Sequence, residues 1–386
     1  MSCAVLLTLG RLPKGLELAR CLNAAGCTVY VADPFGTHLS KPSRAVAKSF
    51  KVTAPNTDSA GFLSDLKTII RNHNIDLVIP VSEEVPHVAQ LHGQLPDTVR
   101  VLCPEIGQLM RLHDKFQFID AVRQASLPAP ETHHGDDPAA LRLASQSDVV
   151  VKPALGCSGT GLHFIKKGQG LPSALSTSTN VIQKRIHGQE ISSFTVARDG
   201  QVQGTALYKG LIFAGTVATL FERITGLTAV EDWIARFVKA ENYSGFIAFD
   251  FIVEESGAAF PIECNPRLTS GIHFLDHQGL ADAILGEGPG GTPDFKPYKR
   301  MQEGHTSLTK AYVALPNLKA FVKRLGLVFT SRDVLWSWRD PLPFLLMTPM
   351  SWPVLSQVMF KGLSFGEAAT KDVEWLPEAS GHKNAA

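Results

Sequence analysis

The chain has 386 residues, too many for one ordinary core and enough for two or three domains. Hydrophobic residues make up 44% and charged residues 19%, which argues against a disordered chain, and 37 Lys plus Arg against 36 Asp plus Glu leaves no general attraction to nucleic acid or an acidic membrane surface. Six cysteines without a CxxC pair read as reduced thiols in a cytoplasmic protein with no zinc site, so small molecules become the expected partners.

The first nine residues carry no basic stretch ahead of their apolar run, unlike a secretory signal. Residues 5–9, 28–32, 77–81 and 99–102 are apolar, strand-like runs, and residues 15–25 and 62–71 have helical spacing between them. Such alternation predicts a parallel sheet with helices on its faces. Gly10 follows the first strand and Asp33 ends the second, where a doubly wound sheet meets its ligands. The run Gly10-Arg11-Leu12-Pro13-Lys14-Gly15 lacks the glycine spacing of a dinucleotide loop, so a sheet whose loops line a cleft is the stronger expectation. After the 77–81 strand come Ser82-Glu83-Glu84. Glu83 would either hold a substrate amino group or, with Glu84, start the next helix, where acids favour the first turn.

Asp114-Lys115 opens a helix through residue 125, and Leu127-Pro128-Ala129-Pro130 breaks it. His133 and His134 fall in a polar stretch read as a linker. Strands are expected at 149–152, 162–165, 181–185, 191–197, 202–208, 245–253 and 259–264, with reversals at Asp199-Gly200 and Ser256-Gly257 that point to antiparallel pairing. Between the first two of these, Lys152 leads into Pro-Ala-Leu-Gly156-Cys-Ser158-Gly159-Thr-Gly161. Glycines there let backbone N–H groups approach phosphate oxygens, and Lys152 adds a cation beside them. This is not a Walker A loop, since no Gly-Lys-Ser/Thr occurs.

The most informative stretch runs from Gly245 to Arg267. With Ser256-Gly257 as a two-residue turn, Asp250 lies opposite Glu263, and Asn265 falls on the same face. Cross-strand β-carbons are about 4.5–5.5 Å apart, so three oxygen-bearing side chains converge. Phe249, Phe251, Val253, Phe260, Ile262 and Cys264 are expected on the opposite, core face. Two carboxylates so close repel unless a cation sits between them, and magnesium is the natural occupant.

Further on, Gly288-Pro-Gly-Gly-Thr-Pro293 reads as a boundary, followed by a tail with Trp336, Trp338 and Trp352. Residues 341–360 carry no charge, which by length nominates a membrane span, but Pro341, Pro343, Pro349 and Pro353 would each break a helix hydrogen bond. A broken helical cap is expected in its place.

In this order and spacing, Asp114-Lys115, the loop from Lys152 to Gly161, Gln183-Lys-Arg-Ile-His-Gly-Gln-Glu190, and Asp250 with Glu263-Cys-Asn-Pro-Arg267 resemble the ATP-grasp superfamily. The resemblance covers about residues 1–285. It implies a mixed α/β and α+β protein: an N-terminal open parallel sheet domain (1–112), a two-lobed nucleotide-binding and catalytic domain (113–290), and a helical or mixed C-terminal extension (291–386) as a cap or dimer element. ATP would be the nucleotide, with one or two magnesium ions and manganese able to substitute. Carried over from the family, Lys115 and Lys152 would contact phosphates, together with Gly156, Ser158, Gly159 and Gly161. Gln183, Lys184, Arg185 and Ile186 would run along the adenine, and Glu190 would bind ribose hydroxyls. Asp250, Glu263 and Asn265 match the family's metal positions.

What the resemblance implies chemically is a ligase that activates a small carboxylate, such as an amino acid, as an acyl phosphate and joins it to an amine. Arg267 would act on the transferring phosphoryl group or the substrate carboxylate, and Lys152 on the phosphates; Ser270 and Gly271, with Glu83, would meet the substrates, and His273 would serve as a base or a substrate contact. The residues after Arg267 read Leu-Thr-Ser-Gly-Ile-His, which departs from the carboxylase pattern of the family and disfavours bicarbonate as the acid. The competing readings are a silent ATP-binding regulator, a carboxylase-type enzyme, and a membrane-associated assembly factor using the tail.

Overall fold

The computed structural model describes residues 3–156, 161–215, 217–286 and 293–375. They fall into two compact units, the first built from Met1–Ile106, Gly210–Arg223 and Arg267–Ala386 and the second from Gly107–Lys209 and Ile224–Pro266.

The first unit opens with β1 (Ala4–Leu7), α1 (Pro13–Ala24), β2 (Thr28–Asp33), β3 (Lys48–Lys51), α2 (Ser59–Asn72), β4 (Leu77–Ile79), α3 (Val85–Ala89) and β5 (Arg100–Val101). The strands lie in the order β3-β2-β1-β4-β5, and all pairs are parallel. A parallel sheet is covered on both faces, which is why Val5, Leu6, Leu7, Leu77, Val78 and Ile79 are all buried. Pro13 sits at the start of α1, where its missing N–H has no helical partner to lose. The Asp58 carboxylate caps α2 by accepting from the Gly61 N–H. β3 escaped the sequence reading because Lys-Ser-Phe-Lys is short and polar, as an edge strand tends to be.

From β1 the chain moves to one side of the sheet, through β2 and β3, and then returns to the other side for β4 and β5. The carboxyl ends of β1 and β4 therefore flank a crevice of the kind in which open α/β sheets bind ligands. The β2 side is closed to a dinucleotide. Asp33, the carboxylate such a site would turn to a ribose, accepts from Arg11, the Gly10 N–H and the Phe35 N–H.

Next come α4 (Ile106–His113), α5 (Lys115–Gln124), β6 (Thr132–His134), α6 (Pro138–Gln146), β7 (Val149–Pro153), β8 (His163–Ile165) and β9 (Asn180–Lys184). The strands of this part form an antiparallel sheet in the order β6-β9-β7-β8, covered by Ala140, Leu143 and Ala144 of α6. His133 and His134 are thus not in a linker: they pair with Ile182 and Val181 of β9. The Asp114 carboxylate caps α5, accepting from the Phe116 and Gln117 N–H groups.

β10 (Gln189–Arg198) and β11 (Gln201–Ala214) follow, then β12 (Val217–Ile224), α7 (Thr228–Ala240), β13 (Gly245–Val253) and β14 (Ala259–Asn265). Asp199 and Gly200, at φ 47° and 71°, make the tight reversal between β10 and β11 that the sequence predicts. In the second unit β14, β13, β10 and β11 are antiparallel neighbours. Phe118 of α5 and Trp233 and Phe237 of α7 pack on Phe249 and Phe251 of β13, forming the core beneath that sheet.

The remainder of the first unit holds α8 (His277–Leu285), β15 (Arg300–Gln302), α9 (Gly304–Val313), α10 (Leu318–Phe329), β16 (Arg332–Asp333), α11 (Leu342–Leu345), α12 (Met347–Met350), α13 (Trp352–Lys361) and α14 (Phe365–Thr370). The uncharged 341–360 stretch breaks into three short helices at its prolines, and no helix among the described residues is long and apolar enough to cross a membrane. Most of the predicted Gly288–Pro293 boundary lies outside the described residues. Side chains bind this C-terminal part to the first sheet. Arg20 donates to Asp340 and to the Leu335 carbonyl, Arg11 lies between Asp33 and Asp372, and Trp375 packs 4.7 Å from the His87 ring.

Candidate functional site

The hairpin of β13 and β14 carries the expected acid pair, by a different route from the one read in the sequence. Near its tip Val253 faces Ala259 and Phe251 faces Pro261, and the Glu254 N–H donates to Ala258, so the reversal takes three residues rather than two. Gly257, at φ 86°, supplies the left-handed position that such a turn needs. A bulge then inserts Ile262 as an extra residue, and beyond it Asp250 faces Glu263 and Ala248 faces Asn265. The bulge also alters which residues reach the core. Ala259 and Cys264 join Phe249 and Phe251 there, whereas Phe260 and Ile262, expected on that face, are only partly buried.

Asp250 accepts from Ser192 Oγ of β10 at 2.6 Å and from Asn265 Nδ2 at 3.2 Å. Lys115 Nζ lies 3.6 Å from Glu263 and donates to the Gly156 carbonyl at 2.7 Å. Lys152 Nζ donates to the Ile262 carbonyl at 2.6 Å and to Gln183 Oε1 at 3.0 Å. A bulged residue is left unpaired in the ladder, so the bulge is what offers that carbonyl to Lys152. Burial pushes the Lys152 amine down to about 8, with Lys115 adding to the effect and Glu263 and Asp250 opposing it. Among the described residues no three His, Cys, Asp or Glu side chains cluster as a metal site. Two carboxylates and an amide are a partial set of hard oxygen donors, which suits magnesium completed by phosphate and water oxygens better than an all-protein cage.

The expected adenine strand is β9 and the residues after it. Gln183 is buried and its side chain is engaged by Lys152 and Thr132, while the Lys184 and Arg185 N–H groups donate to the Glu131 and Asp148 carbonyls. Only Ile186, past the end of the strand, lies beyond these bonds. Glu190 is exposed on β10, on the face it shares with Ser192 and hence with Asp250 and Glu263. Gly156 and Gly161 flank the glycine loop at φ 140° and 74°, and Ser158 and Gly159 lie outside the described residues.

The remaining sequence-derived residues belong to the first unit. Arg267 pairs with Glu83 at 2.9 Å, so Glu83 does not stand ready for a substrate amine; its carboxylate already faces a guanidinium. Ser270 and Gly271 lie in a short 3-10 turn, residues 270–274, that also holds His273. His273 is not an accessible base. It is buried against Phe221, its Nδ1 lies 3.1 Å from Glu17, and burial lowers its pKa. Glu17 also meets His277 and Lys296; burial opposes its charge, yet Lys296 and the two histidines hold it well below the usual carboxylate range.

Sequence reasoning missed Glu17, Lys14 and Glu303, and weighed Glu84 only together with Glu83, at the start of the next helix. Glu84 is buried and accepts from Thr8 Oγ1 and the Val81 and Ser82 N–H groups, closing the β4 loop. Polar residues inside otherwise apolar helical runs, as Glu17 is in Leu16-Glu17-Leu18-Ala19, were the available signal.

A parallel open sheet, two antiparallel sheets and a carboxylate hairpin with two facing lysines define a mixed α/β nucleotide-site architecture. Residues 112–271 match the family model of the ATP-grasp domain, and this part of the chain is an ATP-grasp domain. Solved structures with the same fold include the ADP complex of N5-carboxyaminoimidazole ribonucleotide synthetase, at 14% identity and TM-score 0.62, covering 85% of this chain and 96% of that one. The biotin carboxylase domain dimer of Hydrogenobacter thermophilus 2-oxoglutarate carboxylase, in complex with MgADP, ADP and bicarbonate, matches at 15% identity and TM-score 0.61, over 77% and 73% of the two chains. L-amino acid ligase from Bacillus licheniformis matches at 14% identity and TM-score 0.55, over 74% of each chain. No curated protein sequence matches the chain.

Proposed function

We propose that the protein is an ATP-dependent ligase that activates a small carboxylate as an acyl phosphate and joins it to an amine, releasing ADP and phosphate. The observation that carries this reading is the facing pair Asp250 and Glu263, with Lys115 and Lys152 beside it. Phosphoryl transfer asks little covalent work of a protein and much alignment and charge neutralisation. Lys115 and Lys152 would bind phosphate oxygens, the backbone around Gly156 and Gly161 would cradle them, and Ile186 and Glu190 would orient adenine and ribose. Asp250, Glu263 and Asn265 would hold magnesium, which supplies charge neutralisation to the phosphates when bound. Arg267, two residues beyond Asn265, would steady the phosphoryl group or the carboxylate.

The substrate carboxylate would attack the γ-phosphorus and displace ADP; the amine would then attack the acyl carbon and displace phosphate. The departure after Arg267 favours an organic acid over bicarbonate, and one structural relative is named an L-amino acid ligase. A cytoplasmic location and the division at about residues 112 and 290 belong to the same reading.

The test is ADP release from purified protein incubated with ATP, magnesium and pooled carboxylate and amine candidates. Substrate-dependent release is expected, with Glu263→Ala abolishing it while the far-ultraviolet circular dichroism is unchanged. ATP binding without release under every pool would favour a regulator, and a fully active Glu263→Ala protein would remove the site from the mechanism.

A further inference from the structure

The near-balance of charge over the whole chain conceals an imbalance in the C-terminal part of the first unit. α9 and α10, within residues 304–329, carry Lys310, Lys319, Lys323 and Arg324 and no Asp or Glu. The two helices pack on each other: the Tyr312 and Phe321 rings are 5.9 Å apart, and Arg324 donates to the Lys310 carbonyl at 2.9 Å. One side of α10 joins the body of the unit, where Val328 and Leu327 pack with Ile212, Leu220 and Ala311. The acids that flank the pair in sequence are turned inward. Asp333 accepts from the Gly304, Leu335 and Trp336 N–H groups, and burial, followed by Asp333, raises the Glu303 carboxyl to about 7.

α10 has more apolar side chains than that core takes up. Leu318, Val322, Leu325 and Phe329 recur at i, i+4, i+7 and i+11, which places them within about 60° of one another around the helix. Val328 is about 90° from the middle of this stripe, so the stripe is a second apolar face and not the edge of the core. It is open: Leu318 is 67% exposed, Val322 59% and Phe329 78%, with Leu325 half-buried. Lys319 and Lys323, both exposed, flank the stripe on the side away from Val328. A bare apolar stripe of this kind marks a contact surface, and its flanking charge selects the partner.

A second copy laid stripe to stripe would bring Lys319 and Lys323 against the same basic helices, with no acid in α9 or α10 to answer them. An anionic bilayer meets both features. Its acyl boundary takes Leu, Val and Phe side chains, and lysine stems lie along that boundary with their ammonium groups at the phosphates. We propose that the exposed face of α10 docks the protein on an anionic phospholipid surface, with Leu318, Val322, Leu325 and Phe329 in the interface and Lys319 and Lys323 on the headgroups. The contact is with one face of the bilayer, since no helix among the described residues is long and apolar enough to cross it. It goes beyond the ligase reading and does not depend on it.

Flotation of the full chain with vesicles of phosphatidylcholine, alone or mixed with phosphatidylglycerol, tests this. Binding to the mixed vesicles should be at least about ten-fold tighter at low salt, and high salt should remove most of the difference. Replacing both lysines, Lys319→Gln with Lys323→Gln, should weaken binding to mixed vesicles about ten- to thirty-fold. Phe329→Ser should weaken it about ten-fold or more at any salt concentration. These side chains are exposed, so circular dichroism and thermal unfolding should match the parent. The lipid and salt dependence of the unmodified protein decides the matter even if a variant misfolds. No vesicle binding, equal binding to the two lipid compositions, or parent-level binding by both variants would each overturn the proposal. So would sedimentation velocity showing a parent dimer that Phe329→Ser turns into a monomer, because the stripe would then belong to a second copy. ADP release plays no part in the readout, and its absence would count against the ligase and not against the docking face.

Discussion

Glu17 offers a sharp test of how the first unit is held together. Its carboxylate is buried in α1 and is shared by Lys296, His277 at 2.6 Å and His273 at 3.1 Å, which lie on three later stretches of chain. Glu17→Gln keeps the volume and removes the charge. Lys296 then faces a neutral amide with less than a fifth of its side chain exposed, and breaking a buried pair from one side costs about 3–5 kcal/mol. For a unit of this size that corresponds to a fall of roughly 6–20 °C in the unfolding midpoint. Glu17 has a depressed folded pKa, so its contribution is fully present above the unfolded carboxylate value of about 4.3 and is lost as pH falls towards the folded value. Differential scanning calorimetry of both proteins between pH 7 and pH 3 checks this. The gap should hold down to about pH 4.3 and narrow below it. A variant as stable as the parent at neutral pH, or a gap that widens with acid, would refute the account of Glu17 as a charge hub.

Three further outcomes follow from other parts of the molecule. With the Lys152 amine near 8, ATP affinity measured by calorimetry should decline as pH rises through that value, and Lys152→Arg, which stays charged, should flatten the decline. Gly188→Ala would put a β-carbon 2.2 Å from the Val253 carbonyl oxygen, so that β10 and β13 must separate where the start of β10 meets the end of β13; loss of several kcal/mol, about 2–4, is expected in urea titrations. Asp372→Ala removes one side of the fork on buried Arg11 and should cost about 2 kcal/mol, with faster proteolysis beyond α13 as the visible sign.

The acid pair was legible because strand alternation and a hairpin need only local sequence. Yet the register was reached through two compensating departures: the turn has one residue more than Ser256-Gly257 suggests, and Ile262 adds one to the opposite strand. Nothing in Phe-Pro-Ile-Glu demanded a bulge in advance, although Pro261 inside a strand is the residue that tolerates one. β6 was missed because Thr-His-His has no apolar alternation; β9 recruits it by pairing. Lys14, Glu17 and Glu303 were beyond reach for a different reason. Leu268 is 254 residues from Lys14 and Lys296 is 279 from Glu17, and a single sequence does not say which distant loops fold back onto α1. Glu83 shows the converse: a local motif suggested an open acid, and the long-range partner Arg267 had already taken it.

The three-residue tip of the β13–β14 hairpin is exposed, and Ile262 separates its register from that of the acids. Past the bulge, Asp250 is aligned by Ser192 on the neighbouring strand and not by the length of the tip. A fluorophore attached at Ser256, or a short peptide spliced there, would accordingly report on the hairpin while leaving Asp250 and Glu263 opposite one another.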